Sequence, residues 1–186
     1  MRLRMQIHKA VRFLSTLLIL LSTGLYADEQ LSFKLEKEHK KIVQKFPQLS
    51  HISIEGFRQL KSSDIVLFDV REQQEFDVSH IEGAIQIDPI MDLDDFVKRY
   101  GQQLEKQHIV FYCSVGYRSS EFLAKVLDVM PSEAEVEYLN LRGGIFHWHN
   151  LDQPLQNANG ATNAIHPYNI FWGRYVEKKE SIKRKK

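Results

Sequence analysis

Cys113 is the only cysteine in the chain, and it heads the run Cys113-Ser114-Val115-Gly116-Tyr117-Arg118. A lone cysteine has no internal disulfide partner, so it is either an inert buried side chain or a free thiol with a chemical role. The neighbouring residue types favour the second reading. An apolar run ends directly at Cys113 and a helical pattern follows, so the segment turns from a strand into a helix. A short loop there can aim several backbone N–H groups at one point, and the helix adds the positive end of its dipole. Gly116 lets the loop adopt a backbone conformation that a side chain would hinder, and Arg118 supplies a permanent cation. Each feature favours the thiolate, which is the attacking form. The pattern therefore describes a nucleophile for electrophilic sulfur or phosphorus. A persulfide formed on Cys113 would be anionic and would suit the same cradle. With no second cysteine to resolve it, an external acceptor must empty it.

The elements that position this loop follow from apolar runs and their period. Residues 65–68 (Ile-Val-Leu-Phe), 84–87 (Ala-Ile-Gln-Ile) and 108–112 (His-Ile-Val-Phe-Tyr) have the apolar character of strands buried on both faces. Residues 52–54 and 136–139 are further short strands. Helical spacing marks residues 57–60, 92–100 and 120–130, and a last short helix follows Gly143-Gly144. Strands alternating with helices predict an α/β fold, a doubly wound parallel sheet with helices on both faces. The 186 residues suffice for one domain with flanking segments, and 43% hydrophobic and 26% charged residues exclude general disorder. A net charge of +1 gives no reason to expect nucleic acid as a partner.

The flanks divide the chain further. Residues 1–27 carry Arg2, Arg4, Lys9 and Arg12 ahead of an apolar stretch from Phe13 to Leu25, then Ala27 and a charged pair. That order is a signal peptide's and predicts export, to a bacterial periplasm; an uncleaved N-terminal anchor is the alternative, because Leu25 is large for a cleavage site. The apolar run is shorter than the roughly 20 residues of a spanning helix. Residues 28–50 hold an amphipathic helix over 31–46, stopped by Pro47. The main domain is expected over 51–156. Residues 157–163, rich in Asn and Gly, read as a linker. The extension over 157–186 then carries an aromatic cluster (Tyr168, Phe171, Trp172, Tyr175) and a basic tail. So apolar a cluster is expected to fold back on the domain or to meet a protein partner.

Other residue groups invite chemistry less well. His147 and His149 stand two apart, which puts them on different helix faces, unlike the i, i+4 pair that shares a metal. Asp92, Asp94 and Asp95 open a helix, where carboxylates complement the dipole; the Gly and terminal Glu of a calcium loop are missing. Gly143-Gly144 fits a turn better than a nucleotide loop. Neither a metal nor a cofactor is expected.

Three motifs in order give the chain a resemblance to a single rhodanese domain over residues 52–154. They are Asp69-Val-Arg-Glu72 with Glu75-Phe76, Ser79-His-Ile-Glu-Gly-Ala-Ile85, and the loop from Cys113 to Arg118, with Leu141-Arg-Gly-Gly144 and Trp148 downstream. The resemblance implies a sulfurtransferase in which Cys113 accepts sulfane sulfur as a persulfide from thiosulfate or a persulfide donor. The sulfur would then pass to cyanide or a thiol. It implies that Ser114, Val115, Gly116, Tyr117 and Arg118 cradle the substrate, and that Asp69, Arg71 and His80 are structural. The related phosphatases and arsenate reductases have one more residue between thiol and arginine, so the spacing here resembles the sulfurtransferase loop. Ser114 and Tyr117 stand where that family often has basic residues, which weakens the case for thiosulfate. The alternative is a rhodanese-like sulfur carrier or protein-binding module with little turnover.

Overall fold

The computed structural model describes residues 30–130 and 136–184 of the chain. The expected signal segment over 1–27 lies outside them. At the centre are five parallel strands: β1 (Ser50–Ile52), β2 (Ile65–Asp69), β3 (Ile85–Gln86), β4 (His108–Tyr112) and β5 (Glu137–Leu141). Their spatial order is β1-β5-β4-β2-β3, with Leu67 opposite Val110 and Val110 opposite Leu139. The helices are α1 (Phe33–Lys45), α2 (Ile54–Gln59), α3 (Gln73–Val78), α4 (Leu93–Tyr100), α5 (Tyr117–Val129) and α6 (Gly144–Asn150). The α/β doubly wound architecture is the one the alternation of apolar runs predicts.

Because side chains alternate across a strand, β2 and β4 supply two separate cores. Leu67, Val110 and Tyr112 face one side, where they join Leu35, Ile54, Leu141, Trp148, Ile165, Tyr175 and Val176. Val66, Phe68, Ile109 and Phe111 face the other, with Ile42, Phe96, Phe122, Leu123 and Val126. Phenylalanine rings dominate the second core, at centroid separations of 5.2 Å for Phe68–Phe111 and 5.1 Å for Phe96–Phe122. Burying both faces of the same strands explains why they lack a polar side. Helix α1 gives Leu35 to one core and Ile42 to the other, so it packs as part of the domain.

Several boundaries differ from the sequence expectation, each for a local reason. The first strand ends at Ile52 because the Ser53 hydroxyl accepts from Gly56 N–H at 2.9 Å and starts α2. Asp92 caps α4 by accepting from Asp94 N–H at 2.9 Å. The expected strand over 84–87 pairs only through Ile85 and Gln86. The expected linker over 157–163 is instead part of an antiparallel hairpin, β6 (Leu155–Asn157) with β7 (Gly160–Thr162). Its Asn and Gly residues serve a tight turn, where Gly160 takes a φ of +106°. Beyond it the extension folds back, as Ile165, Tyr175 and Val176 are buried in the first core. Among the described residues, no helix is long and apolar enough to cross a membrane.

Candidate active site

Cys113 follows the last residue of β4 at the carboxyl end of the sheet, where open parallel sheets place ligand sites. The sequence suggests a helix starting at Ser120, but α5 begins at Tyr117. Gly116, in the left-handed region at φ +99°, makes the turn, and its carbonyl accepts from Ser120 N–H at 3.2 Å. The true loop is therefore Cys113 to Gly116, and Tyr117 and Arg118 lie in the helix's first turn.

Within that loop the sulfur accepts a hydrogen bond from Gly116 N–H at 3.2 Å. Cys113 is only 1% exposed. From behind, Ile145 N–H donates to the Cys113 carbonyl at 2.9 Å and Phe146 N–H to the Ser114 carbonyl at 3.0 Å, so the start of α6 clamps the loop. A Cβ at Gly144 would stand 2.4 Å from the Cys113 carbonyl oxygen, so only glycine permits this approach. Among the described residues, the backbone N–H groups of Ser114, Val115, Tyr117 and Arg118 pair with no protein acceptor. Donors of this kind at a helix start form an anion-binding nest.

The side chains of the same run are turned into the scaffold. Val115 is buried in the first core. Tyr117 bonds through its hydroxyl to Lys45 Nζ of α1. Arg118 forks onto Glu75, Nη1 to Oε2 at 2.7 Å and Nη2 to Oε1 at 2.9 Å, and Nη2 also reaches Ser114 Oγ at 3.0 Å. Ser114 Oγ donates in turn to Glu75 Oε1 at 3.1 Å. The permanent cation expected at Arg118 is thus compensated by Glu75. Burial pushes the Glu75 carboxyl up, but the Arg118 hydrogen bonds and the charges of Arg118 and Arg71 outweigh it and hold the group below its usual range. Burial works against the Arg118 charge as well; the Glu75 bond and electrostatic interaction with Cys113 and Glu75 more than offset it. The Tyr168 ring, from the C-terminal extension, covers the guanidinium at 4.4 Å.

Two further residues complete the support: Glu75, part of the first motif but with no role expected there, and Asn140, which lies outside the motifs. Glu75 also closes the capping box of α3 through Glu72 N–H at 3.2 Å; the Glu72–Glu75 spacing signals that box, but not the reach to Arg118. Asn140, buried in β5, donates from Nδ2 to the Gly116 carbonyl at 3.2 Å and to Ser120 Oγ at 3.0 Å, and accepts from Ser119 Oγ at 2.7 Å. The strand expected over 136–139 stops one residue short of it, whereas β5 runs on to Leu141. Asp69, Arg71 and His80 stay in the frame. Arg71 forks onto Asp69 at 2.8 and 2.6 Å and donates to the Ser79 carbonyl at 2.7 Å, while His80 stacks on Phe76 at 3.8 Å. His147 and His149 are both buried in α6, and His149 Nε2 lies 3.1 Å from the Asn163 carbonyl. Among the described residues, no group of three or more His, Cys, Asp or Glu is placed to hold a metal ion.

Comparison with known proteins agrees with this fold. A family model described as "Rhodanese-like domain" matches residues 55–151. The tRNA uridine(34) hydroxylase of Staphylococcus saprophyticus is 33% identical over 99 residues, which cover 52% of this chain and 30% of that protein. The enzyme of the same name from Staphylococcus haemolyticus is 38% identical over 65 residues, 34% of this chain and 20% of its own length. The chain thus spans less than a third of these curated relatives. A solved structure of a protein of unknown function, possible tyrosine phosphatase, from Rhodopseudomonas palustris superposes with a TM-score of 0.52 at 19% identity. The match covers 63% of this chain and 93% of that one, and at that identity it bears on the fold alone.

Proposed function

The chain belongs to the rhodanese-like domain family, and from that membership we propose that it is a sulfurtransferase working through a Cys113 persulfide. The observation that carries the proposal is the set of loop amides without a protein acceptor among the described residues, next to a sulfur already held by Gly116 N–H. In the first half-reaction the Cys113 thiolate attacks the outer sulfur of thiosulfate or a persulfide. The new S–S bond forms as the donor's own bond to that sulfur breaks, and the leaving sulfite or thiolate departs with the electron pair. In the second, cyanide or an acceptor thiolate attacks the outer persulfide sulfur, and the Cys113 thiolate is released. Since Arg118 is paired with Glu75, backbone N–H groups rather than a side-chain cation hold the anionic species at each step.

Replacing Cys113 by Ser should abolish thiosulfate:cyanide activity, and activity that survives would overturn the mechanism. Intact-mass measurement after thiosulfate treatment should show one added sulfur in the native chain and none in the variant. Near-complete burial of the thiol favours a second reading, a sulfur carrier with little turnover; it would show the added mass but no thiocyanate. The tRNA chemistry named for the curated relatives is not part of the proposal. An apolar stretch behind four basic residues supports reading residues 1–27 as an export segment, and fractionation of cells expressing the full chain would test that.

A further inference from the structure

Away from the thiol, α1 and the C-terminal extension enclose a hollow of about 290 Å³ lined by Phe33, Lys34, Lys37, Glu38, Lys41, Arg174 and Tyr175. Lys34, Lys37 and Lys41 share one helix face because they are three and four residues apart. Glu38 is already engaged, accepting from Lys41 Nζ and from the Tyr175 hydroxyl, each at 3.0 Å. Among the described residues, neither Lys34, Lys37 nor Arg174 forms an ion pair. The charge of Lys34 also acts on Lys179, whose ammonium is pushed down by burial first and by Lys34 next. The hollow is therefore a place of crowded, uncompensated positive charge.

Phe33 lines it, Phe171 adjoins it through Arg174, and Ile170 precedes Phe171 in the sequence. Phe33 is 85% exposed, Ile170 85% and Phe171 55%. The Arg174 guanidinium lies 3.7 Å from the centre of the Phe171 ring, so that ring and the cationic hollow are continuous. A free anion would use the lysines and leave Phe33 and Ile170 without a role. An interfacial surface needs both, cations for lipid phosphate and apolar groups for the boundary beneath it. The apolar stretch ending at Leu25 precedes Phe33 in the sequence by few residues, which suits the same setting.

We propose that this face, built from Phe33, Lys34, Lys37, Arg174, Ile170 and Phe171, docks on an anionic lipid bilayer. Charge complementarity with the headgroups selects the surface, and the three apolar side chains enter its outer layer. The proposal is independent of the chemistry at Cys113.

Trp172 reports on this contact because its ring lies 5.6 Å from that of Phe171. The full chain is mixed with vesicles carrying a spin-labelled lipid whose label sits near the headgroup. One set is phosphatidylcholine alone; the other adds phosphatidylglycerol. Tryptophan quenching should appear with phosphatidylglycerol, be weak without it, and fall as salt rises. At about fivefold in affinity per cation, Lys34→Glu/Lys37→Glu/Arg174→Glu should weaken it roughly 100-fold or more. Phe33→Ser/Ile170→Ser should weaken it while retaining its salt dependence. The milder Lys34→Gln/Lys37→Gln serves if circular dichroism shows the triple variant unfolded. The N-terminal segment carries Arg2, Arg4, Lys9 and Arg12 and favours phosphatidylglycerol by itself, so the comparison between variants, in which it is unchanged, carries the test. Equal quenching on both vesicles would overturn the proposal, as would native quenching in a folded charge variant. Absence of quenching with saturable binding of an acidic peptide would also overturn it, in favour of a protein partner.

Discussion

Two arginine–carboxylate forks lie in this domain, and they differ in what surrounds them. Arg71 and Asp69 are wholly buried at the end of β2, where Arg71 also ties down the Ser79 carbonyl. Arg118 and Glu75 join the start of α5 to the start of α3, and the Arg118 side chain keeps partial exposure. The first fork closes the frame around the end of β2. The second holds Ser114, the residue next to the nucleophile, and the Tyr168 ring lies over its guanidinium. The same chemistry thus secures the frame in one place and a working loop in the other. Losing a partner should cost most where no water can replace it.

Replacing Arg71 with Met tests that contrast most severely. It leaves the Asp69 carboxylate buried without its partner, which costs about 3–5 kcal/mol. Chemical denaturation should show a loss on that scale, in a domain whose total stability is only about 5–15 kcal/mol. A loss below 1 kcal/mol would mean that the pair is not the closure it resembles.

Glu75→Gln should be milder in stability and stronger in function per unit of stability lost. It removes the charge-assisted fork to Arg118, worth about 1.5–3 kcal/mol for a hydrogen bond to a charged group. It also loosens Ser114, so the rate of persulfide formation should fall and Cys113 should alkylate faster. Should persulfide formation match the native chain, the Glu75 fork has no part in shaping the loop.

The pH dependence of stability distinguishes this fork from a second titrating group. Glu75 binds its proton more weakly folded than unfolded. Its stabilisation is therefore complete above the ordinary carboxylate range and is lost as pH falls through the lowered folded value. His51 is also depressed, to about 4, chiefly by burial and then by the charges of His39 and Arg142. Its contribution is complete above about 6.5, the unfolded value, and is lost as pH falls from there toward 4. Stability should therefore decline in two stages on acidification. Glu75→Gln should shrink the lower stage, to which Glu36 also contributes through Arg142, and leave the upper. His51→Gln should shrink the upper, to which His39 and the buried His149 and His166 also contribute, and leave the lower.

How much of this was legible in the sequence follows from the range of each interaction. The strands around Cys113 and the turn at Gly116 are local, and apolar runs and a glycine mark them. The Asn-Gly stretch over 157–163 was ambiguous because linkers and hairpin turns use the same residues; pairing with Leu155–Asn157 decides between them. The Glu75–Arg118 fork spans 43 residues, so no spacing rule reveals that the cation beside the thiol is compensated. Asn140 lies just past the strand expected over 136–139, and its hydrogen bonds to Gly116 and Ser120 reach 24 and 20 residues back. Tyr168 is legible as part of an aromatic cluster that folds back, but its place over Arg118 is hidden, since it depends on the path of a tail held by the bridge between Ile165 and Ile182.

Tyr168 gives the smallest and most discriminating prediction. Its ring on a partly exposed guanidinium is worth about 0.5–1 kcal/mol, yet its backbone sits at φ +60°, where a side chain costs about 1–2 kcal/mol. Tyr168→Ala removes the ring and keeps the strained backbone, so it should be destabilising by about 0.5–1 kcal/mol. Tyr168→Gly removes both, so it should be more stable than the alanine variant and close to the native chain. A thermal-melt series of the three proteins reads that order. Because the ring acts through a guanidinium that Glu75 holds in place, its effect should shrink in a Glu75→Gln background. If the two substitutions prove additive, the ring packs on the extension alone, and the second fork ends at Glu75 as the first ends at Asp69.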